Sequence, residues 1–308
     1  MIPTLALATA GCLWGTGFFF GKIALLEMPV TTMVLYRFTF ACLGLVAVLL
    51  WRRPNLRAIE WAWVWVAAVL GVPVQYLVQF QGLSLTTVSH ASLMVGTLPI
   101  LLAIASTLFS GERLDSYGWL ALACATLGSG LIALSGRSAL GAGGSLAGDL
   151  LVVLSMCAAI AWIMISKNLM RRHSALMVTA LVFSLGTSLL AIIVLAAVGL
   201  PSLHYSRRAW TAVAEQGLLA TACTTVLCNW GLKQVPASEA GVFVNLEPLV
   251  GAILGVFWLH EKLGPSALVG GALIIAGAGY FSSRPMSNDG PETPTCARLN
   301  APRGRGGQ

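Results

Sequence analysis

One carboxylate, Glu247, stands in the middle of the apolar stretch from Ala240 to Leu259, directly before Pro248. A charged side chain at the centre of a bilayer costs about 2.5–3.5 kcal/mol on insertion scales. We therefore expect Glu247 to face a wet cavity, to pair with a cation or to hold a proton. It could bind a substrate amine or accept a proton, and a buried, hydrogen-bonded Glu that fixes packing is the structural alternative. Pro248 removes a backbone donor and is predicted to kink its helix.

Arg37 is the cation that lies well inside an apolar stretch, after Tyr36. Its long side chain could reach back to the membrane surface. It could also neutralise a substrate carboxylate or pair with Glu247. An Arg and a Glu in one cavity would suit a zwitterion such as an amino acid, but the sequence does not show whether these two meet.

Further cavity candidates are polar or aromatic side chains within apolar stretches, namely Gln75, Tyr76, Gln79, His90, Asn229, Asn245, Trp14 and Trp162. The i, i+4 spacing of Gln75 and Gln79 places both amides on one helix face, with Tyr76 beside them. Each candidate has a structural alternative. Asn amides in a bilayer often join helices, His90 could lie at the membrane surface, and the Trp rings could serve packing alone.

Several kinds of site are not indicated. Six of the seven cysteines lie in apolar stretches without CxxC spacing, so we expect neither disulfides nor a metal site. The Gly-x-Gly segments at 128–130 and 277–279 do not follow strands, which argues against a nucleotide cofactor. They could allow close helix packing, including that of a homodimer. No cofactor is expected, and no Ser/His/Asp set suggests an enzyme.

The composition predicts a membrane protein. Of 308 residues, 57% are hydrophobic and 9% are charged, whereas soluble domains carry about 25% charged residues. A membrane helix needs about 20 apolar residues, and ten such stretches follow one another. They are residues 3–22, 32–51, 61–82, 88–109, 117–135, 149–166, 176–199, 214–232, 238–259 and 265–283. The sequence thus predicts an all-α integral membrane fold with the lipid bilayer as its main partner.

An internal repeat with an offset of 149 residues relates the two halves. The segment Gly82 to Gly130 aligns without a gap to Gly231 to Gly279, and it pairs Pro99 with Pro248. Two five-helix units follow, residues 1–137 and 146–283. Because five is odd, the second unit enters the membrane in the opposite orientation, which gives a 5+5 inverted repeat. Leu98 stands where Glu247 stands in the second copy, so the carboxylate is present once.

The basic residues predict the orientation. The net charge of +7 lies mainly in short connectors and the tail, so membrane orientation explains it better than nucleic acid binding does. A cytoplasmic N-terminus places most Lys and Arg of these segments inside, as the positive-inside rule requires. We therefore expect a multi-pass inner-membrane protein with both termini in the cytoplasm. Residues 284–308 are rich in Pro, Gly and Arg and are predicted to be a disordered cytoplasmic tail.

The chain resembles the EamA-domain branch of the drug/metabolite transporter superfamily. The resemblance rests on Trp14-Gly15, Arg37-Phe38, the segment SHASLMVGTLPILLAIASTLFSGERL at 89–114 and the segment LEPLVGAILGVFWLHEKL at 246–263. It covers about residues 5–283 as two tandem EamA units. It implies a secondary transporter of small metabolites, often amino acids or related compounds and frequently an exporter. It also implies a basket-like cavity lined by both halves.

Our leading hypothesis is a permease that moves a small, amphiphilic metabolite by alternating access, either coupled to protons through Glu247 or uncoupled. A carrier of sugar phosphates or nucleotide sugars is an alternative, but such a carrier would need several cationic side chains in its cavity. An intramembrane enzyme or a receptor is an alternative from another class. An enzyme would need clustered polar groups at one depth, and a receptor would need a soluble domain.

Overall fold

A computed structural model describes residues 2–52, 59–98, 145–232 and 246–283, with a few further residues between 101 and 131. The described part is helical. Its helices are α1 (Ile2–Ala24), α2 (Val30–Arg52), α3 (Trp61–Leu85), α4 (Val88–Val95), α5 (Leu146–Met170), α6 (Ala175–Ala197), α7 (Arg207–Leu232), α8 (Leu246–Trp258) and α9 (Pro265–Ser283). Serine side chains cap several N-termini: Ser145, Ser174 and Ser206 accept from the backbone N–H three residues on. Such caps satisfy donors that the helix itself leaves unpaired.

Five of the described helices contain segments that are long and apolar enough to cross a membrane. These segments are Val30–Ala47, Trp61–Leu85, Leu146–Met170, Ala175–Ala197 and Arg207–Cys228. Large apolar side chains such as Leu43, Leu154 and Ile192 point outward and are more than half exposed. Apolar side chains on the outside of a helical protein are expected where lipid replaces water. Length and surface together agree with the predicted membrane fold.

A π-helical turn interrupts α3 and another interrupts α7. The turn in α3 spans Leu70–Val74 and contains Pro73, whose missing N–H prevents regular α-helical bonding. The turn in α7 spans Leu218–Cys223 and contains no proline. The two turns occupy nearly equivalent places under the repeat offset of 149. π turns change the direction of the side chains around them and occur often at functional sites. A functional site is therefore expected near α3 and α7.

The helices pack mainly between the two halves. α1 packs against α7 and α8, while α5 packs against α3 and α4. α2 packs against α7, and α6 packs against α3; α2 also meets α6, and α4 meets α8. The repeat pairs α1 with α5, α2 with α6, α3 with α7 and α4 with α8. When each helix is replaced by its repeat partner, every contact named above becomes another contact of the same set or itself. The core between the halves therefore belongs to both of them.

Helix boundaries differ from the predictions in two informative places. The predicted span 214–232 begins later than α7, which starts at Arg207, and the span 149–166 begins later than α5, which starts at Leu146. The hydropathy pattern placed the first residue of both spans too late, because the first turns of these helices carry charged or small residues. Much of the predicted spans 88–109, 117–135 and 238–259 lies outside the described residues, as does the predicted tail 284–308.

Gly128, from the predicted close-packing segment 128–130, packs inside its own chain. A Cβ atom there would lie 2.5 Å from the carbonyl oxygen of Gly270 in α9. This glycine thus serves an intramolecular helix contact. The homodimer stays a prediction.

Candidate functional site

Arg37 is buried between the halves, with 6% of its surface exposed. It projects from α2, and its Nε and Nη2 atoms both donate to the hydroxyl of Thr221, at 3.2 and 3.1 Å. In the described part of the chain these are its only hydrogen bonds, and no carboxylate lies within ion-pair distance of it. A guanidinium offers five N–H donors, so most of its donors remain for other partners. Arg37 is therefore enclosed between helices.

Three aromatic rings surround the guanidinium. Its Cζ lies 4.7 Å from the ring centroid of Tyr76, 5.1 Å from that of Phe80 and 5.7 Å from that of Phe38. The negative faces of such rings attract a cation, by about 2 kcal/mol when water is excluded. Phe38 and Tyr76 in turn meet edge to face, with centroids 4.7 Å apart. The aromatic cage holds the cation in place without neutralising its charge.

The π turn of α7 presents Thr221 to Arg37. The Thr221 hydroxyl donates to the carbonyl oxygen of Gln216, five residues earlier, at 2.8 Å. Its lone pairs are then free to accept from the guanidinium. Gln216 is fully buried and donates its amide to the carbonyl oxygen of Gly17 in α1, at 2.5 Å. A chain of hydrogen bonds thus links α1, α7 and α2 around the cation.

Two carboxylates, Glu247 in α8 and Glu215 in α7, interact electrostatically with Arg37. The Glu247 backbone is fixed by a close approach of α1, because a Cβ atom at Gly15 would lie 2.7 Å from the Glu247 carbonyl oxygen. We call Arg37, Tyr76, Glu215, Thr221 and Glu247 the central cluster. It combines one cation, two carboxylates and a phenol in an apolar setting, and it draws on both halves of the chain.

Sequence reasoning missed Glu215 and Thr221. Glu215 stood at the edge of the predicted span 214–232, where a charge looks like a surface residue. Because α7 begins at Arg207, Glu215 lies about two turns inside the helix. Its Oε1 accepts from the Thr16 hydroxyl at 2.7 Å. Thr221 gave no signal, since a hydroxyl in an apolar helix usually bonds to its own backbone.

The remaining predicted residues of α3 lie near the central cluster. The indole N–H of Trp162 donates to the side-chain oxygen of Gln75, and Gln79 is buried. The Trp162 ring fills the space beside Gly71 in the π turn, where a Cβ atom would lie 3.2 Å from it. This bond joins α5 to α3, and a cavity role for Trp162 and Gln75 stays a prediction. Trp14 is partly buried in α1.

His90 belongs to a different group at one end of the helices. Its Nδ1 lies 3.1 Å from Oδ2 of Asp149, and the Thr86 hydroxyl donates to Oδ1 of Asp149 at 2.6 Å. Lys22 donates to the carbonyl oxygens of Leu83 and Thr86, at 2.7 and 2.5 Å. We call His90, Asp149, Thr86 and Lys22 the end cluster. His90 was predicted as a cavity residue, and the structure places it with Asp149 in the end cluster.

Some predicted residues cannot be placed. Asn245 and Pro99 lie outside the described residues, and nothing is described of the Asn229 side chain. Pro248 is buried in the first described turn of α8, so the segment that would show a kink lies before the described range. Among the residues that the structure describes, no three His, Cys, Asp or Glu side chains are grouped to hold a metal ion.

Comparison with known proteins decides the family. The model of the EamA-like transporter family matches residues 1–134 and again residues 146–283. The chain belongs to the EamA-like transporter family. Two tandem EamA units therefore account for nearly all of the residues before the predicted tail, as the resemblance in the sequence indicated.

Two relatives of this EamA protein each cover about nine-tenths of it. An uncharacterized transporter of Archaeoglobus fulgidus is 26% identical over 275 residues, which span 89% of this chain and 94% of the relative. The uncharacterized transporter YwfM of Bacillus subtilis is 28% identical over 311 residues, which span 92% and 95%. A solved crystal structure that is 20% identical has a TM-score of 0.64 and covers 90% of this chain and 94% of its own. These relatives support a multi-pass membrane transporter, and the solved structure supports the fold.

Proposed function

We propose that this EamA protein is an alternating-access secondary transporter that moves a small amphiphilic metabolite, an amino acid or a related compound, across the inner membrane. The observation that carries the proposal is the central cluster. Arg37 is buried, caged by rings and bound to one hydroxyl, and two carboxylates lie within electrostatic reach of it. A buried cation without an ion-pair partner is costly, so a ligand carboxylate is a natural partner for it.

The proposed architecture is two five-helix units in opposite orientations. It is supported by the packing of the described helices, in which contacts recur when the halves are exchanged. The π turns at matched places in α3 and α7 support it as well. With its charged groups contributed by α2, α7 and α8, the central cluster lies at the interface of the two units. A site at such an interface can face either side of the membrane in turn.

In the proposed site, Arg37 binds the substrate carboxylate and Glu247 binds the substrate amine or a coupling proton. Tyr76 lines the same region through its ring contact with Arg37, and the buried Gln79 is proposed to line it as well. The orientation with both termini in the cytoplasm rests on the positive-inside rule. A sugar-phosphate or nucleotide-sugar carrier fits less well, because Arg37 is the one cation that the described residues place in this region. No observation favours an intramembrane enzyme or a receptor.

Flux measurements on Glu247→Gln test the proposal. Purified protein in liposomes is loaded with a mixture of amino acids, and exchange with each labelled amino acid outside is followed with and without a proton gradient. We expect the wild type to exchange at least one amino acid, and Glu247→Gln to lose exchange or its response to the gradient. Glu60→Gln is the matched control, because Glu60 pairs with Arg172 at the start of α3, away from the cluster. Wild-type flux and gradient response in Glu247→Gln would remove Glu247 from the site, and no exchange by the wild type would refute the substrate class.

A further inference from the structure

Glu215 has an unsatisfied oxygen that faces the buried interior. Its Oε1 accepts from Thr16, whereas its Oε2 is buried without a hydrogen-bond partner among the described residues. A buried acceptor that lacks a donor costs about 1–3 kcal/mol, and more for a charged group. Native proteins rarely leave such a group unpaired unless it has a role or takes a partner. Glu215 therefore needs a donor from outside the described protein groups.

The charges of the central cluster do not balance. Arg37 contributes one positive charge, and Glu215 and Glu247 would contribute two negative charges when ionised. The other described acidic groups are engaged elsewhere. Glu27 accepts from Ser206, Glu60 pairs with Arg172, Asp149 accepts from Thr86 in the end cluster, and Glu261 accepts from the backbone at the start of α4. Lys22 bonds to backbone carbonyls in the end cluster. Within the described residues, the cluster thus carries an excess of one negative charge when both carboxylates are ionised.

An excess charge in a membrane interior is expensive, so the cluster needs either a proton on one carboxylate or an occupant that brings a compensating positive charge. A simple amine would supply it but would leave Arg37 without a carboxylate. A divalent cation would need more oxygen ligands than two carboxylates provide, and Arg37 would repel it. A neutral amino acid would match Arg37 and one carboxylate, leaving the second carboxylate unmatched.

We propose that the substrate is a basic amino acid, a molecule with one carboxylate and two cationic nitrogen groups, and that Glu215 is the residue that selects it. This inference rests on the proposed function. The substrate carboxylate binds Arg37, and its two cationic groups bind Glu215 and Glu247. Each charged group of the cluster then has one partner of opposite sign, and the buried Oε2 of Glu215 gains its donor. Thr16 orients Glu215 by its hydrogen bond.

Equilibrium binding to the purified full-length protein tests the inference. L-lysine is compared with L-norleucine, which has the same backbone and nearly the same side-chain length but no side-chain ammonium. Hydrogen bonds to charged groups contribute about 1.5–3 kcal/mol, so the wild type should bind lysine about tenfold or more tightly than norleucine. In Glu215→Gln the ratio of the two dissociation constants should fall to about one, while norleucine affinity is retained and reports an intact fold. Glu60→Gln should keep the wild-type ratio.

Two results would overturn the inference: a wild type without preference for lysine, or a Glu215→Gln variant that keeps the full preference. The ratio of the lysine and norleucine dissociation constants of the wild type tests the substrate class even if Glu215→Gln does not fold. Thr16→Val removes the hydroxyl that bonds to Glu215 and to the carbonyl oxygen of Leu13, and it should lower the ratio part of the way. Counterflow separates this inference from the transporter proposal. Exchange of norleucine without preference for lysine would leave the transporter proposal standing and refute the selection by Glu215. Selective lysine binding without exchange would support the selection by Glu215 and refute the transporter proposal.

Discussion

Arg37 and Thr221 join the two halves of this EamA protein through a pair of hydrogen bonds, with Nε and Nη2 of the guanidinium 3.2 and 3.1 Å from one hydroxyl oxygen. The bond requires the π turn of α7, because Thr221 lies within the turn and donates its own proton to Gln216. The shape of one helix thus fixes the position of a cation carried by another. The position of the charge in the central cluster therefore depends on the hydrogen bonds between Arg37 and Thr221.

Thr221→Val should destabilise the protein and weaken transport. Valine keeps the volume of threonine but leaves the buried guanidinium without its hydroxyl acceptor, and an unsatisfied buried donor costs about 1–3 kcal/mol. Thermal unfolding in detergent measures the loss, and amino-acid exchange in liposomes measures the effect on function. Thr39→Val in α2 is the matched control, since Thr39 is an exposed residue whose hydroxyl bonds to the carbonyl oxygen of Leu35 in its own helix. Equal stability and flux for the two variants would show that Thr221 does not anchor Arg37.

Gly15→Ala should disturb the contact between α1 and α8 beside Glu247. The new Cβ atom would lie 2.7 Å from the Glu247 carbonyl oxygen and 2.7 Å from Cβ of Val250. Overpacking of this kind typically costs about 1–3 kcal/mol. Gly17→Ala is the control in the same helix, because its Cβ atom would meet Ala220 at an ordinary 3.5 Å. We expect lower unfolding temperature and slower exchange for Gly15→Ala alone, and a Gly15→Ala protein as active and stable as Gly17→Ala would contradict the close approach.

The contact between Glu27 and Ser206 should weaken in acid. Hydrogen bonds from the Ser206 hydroxyl and backbone N–H, at 2.5 and 2.9 Å, hold the pKa of Glu27 below its ordinary value of 4.5. Because the folded-state pKa is the lower one, the contribution to stability is full above the ordinary value and is lost as pH falls through the folded-state pKa. Unfolding temperatures of the wild type and Glu27→Gln in detergent, followed from neutral pH down to about pH 3, should therefore differ at neutral pH and converge in acid. A difference that persists unchanged across the range would rule out this titration.

The sequence indicated the membrane fold and part of the central cluster for one physical reason. Charges are rare in apolar helices, so Arg37 and Glu247 stood out as candidates without any knowledge of the fold. Their electrostatic interaction could not be predicted, because they lie in different halves. It depends on the packing of α1 against both α7 and α8 and of α2 against α7. Their role in binding stays a prediction.

Glu215 and Asp149 were missed for a related reason. Both stood at the edges of predicted spans, where hydropathy places the end of a helix too far into the apolar region. A carboxylate within a turn or two of a helix end then looks like a surface residue. The structure extends α7 back to Arg207 and α5 back to Leu146, which brings both carboxylates inside. Asp149 is 2% exposed and bonded to His90 and Thr86.

The central claim is that Arg37 binds the carboxylate of a transported amino acid. Counterflow of labelled L-lysine into liposomes loaded with unlabelled L-lysine tests it most directly, with the wild type, Arg37→Gln and Glu60→Gln reconstituted at equal density. We predict that the wild type and Glu60→Gln accumulate label, and that Arg37→Gln falls to the level of protein-free liposomes. Cadaverine, which is lysine without its carboxylate, should compete poorly for the wild type. Arg37→Gln that accumulates label as the wild type does, or cadaverine that competes as well as lysine, would contradict the claim.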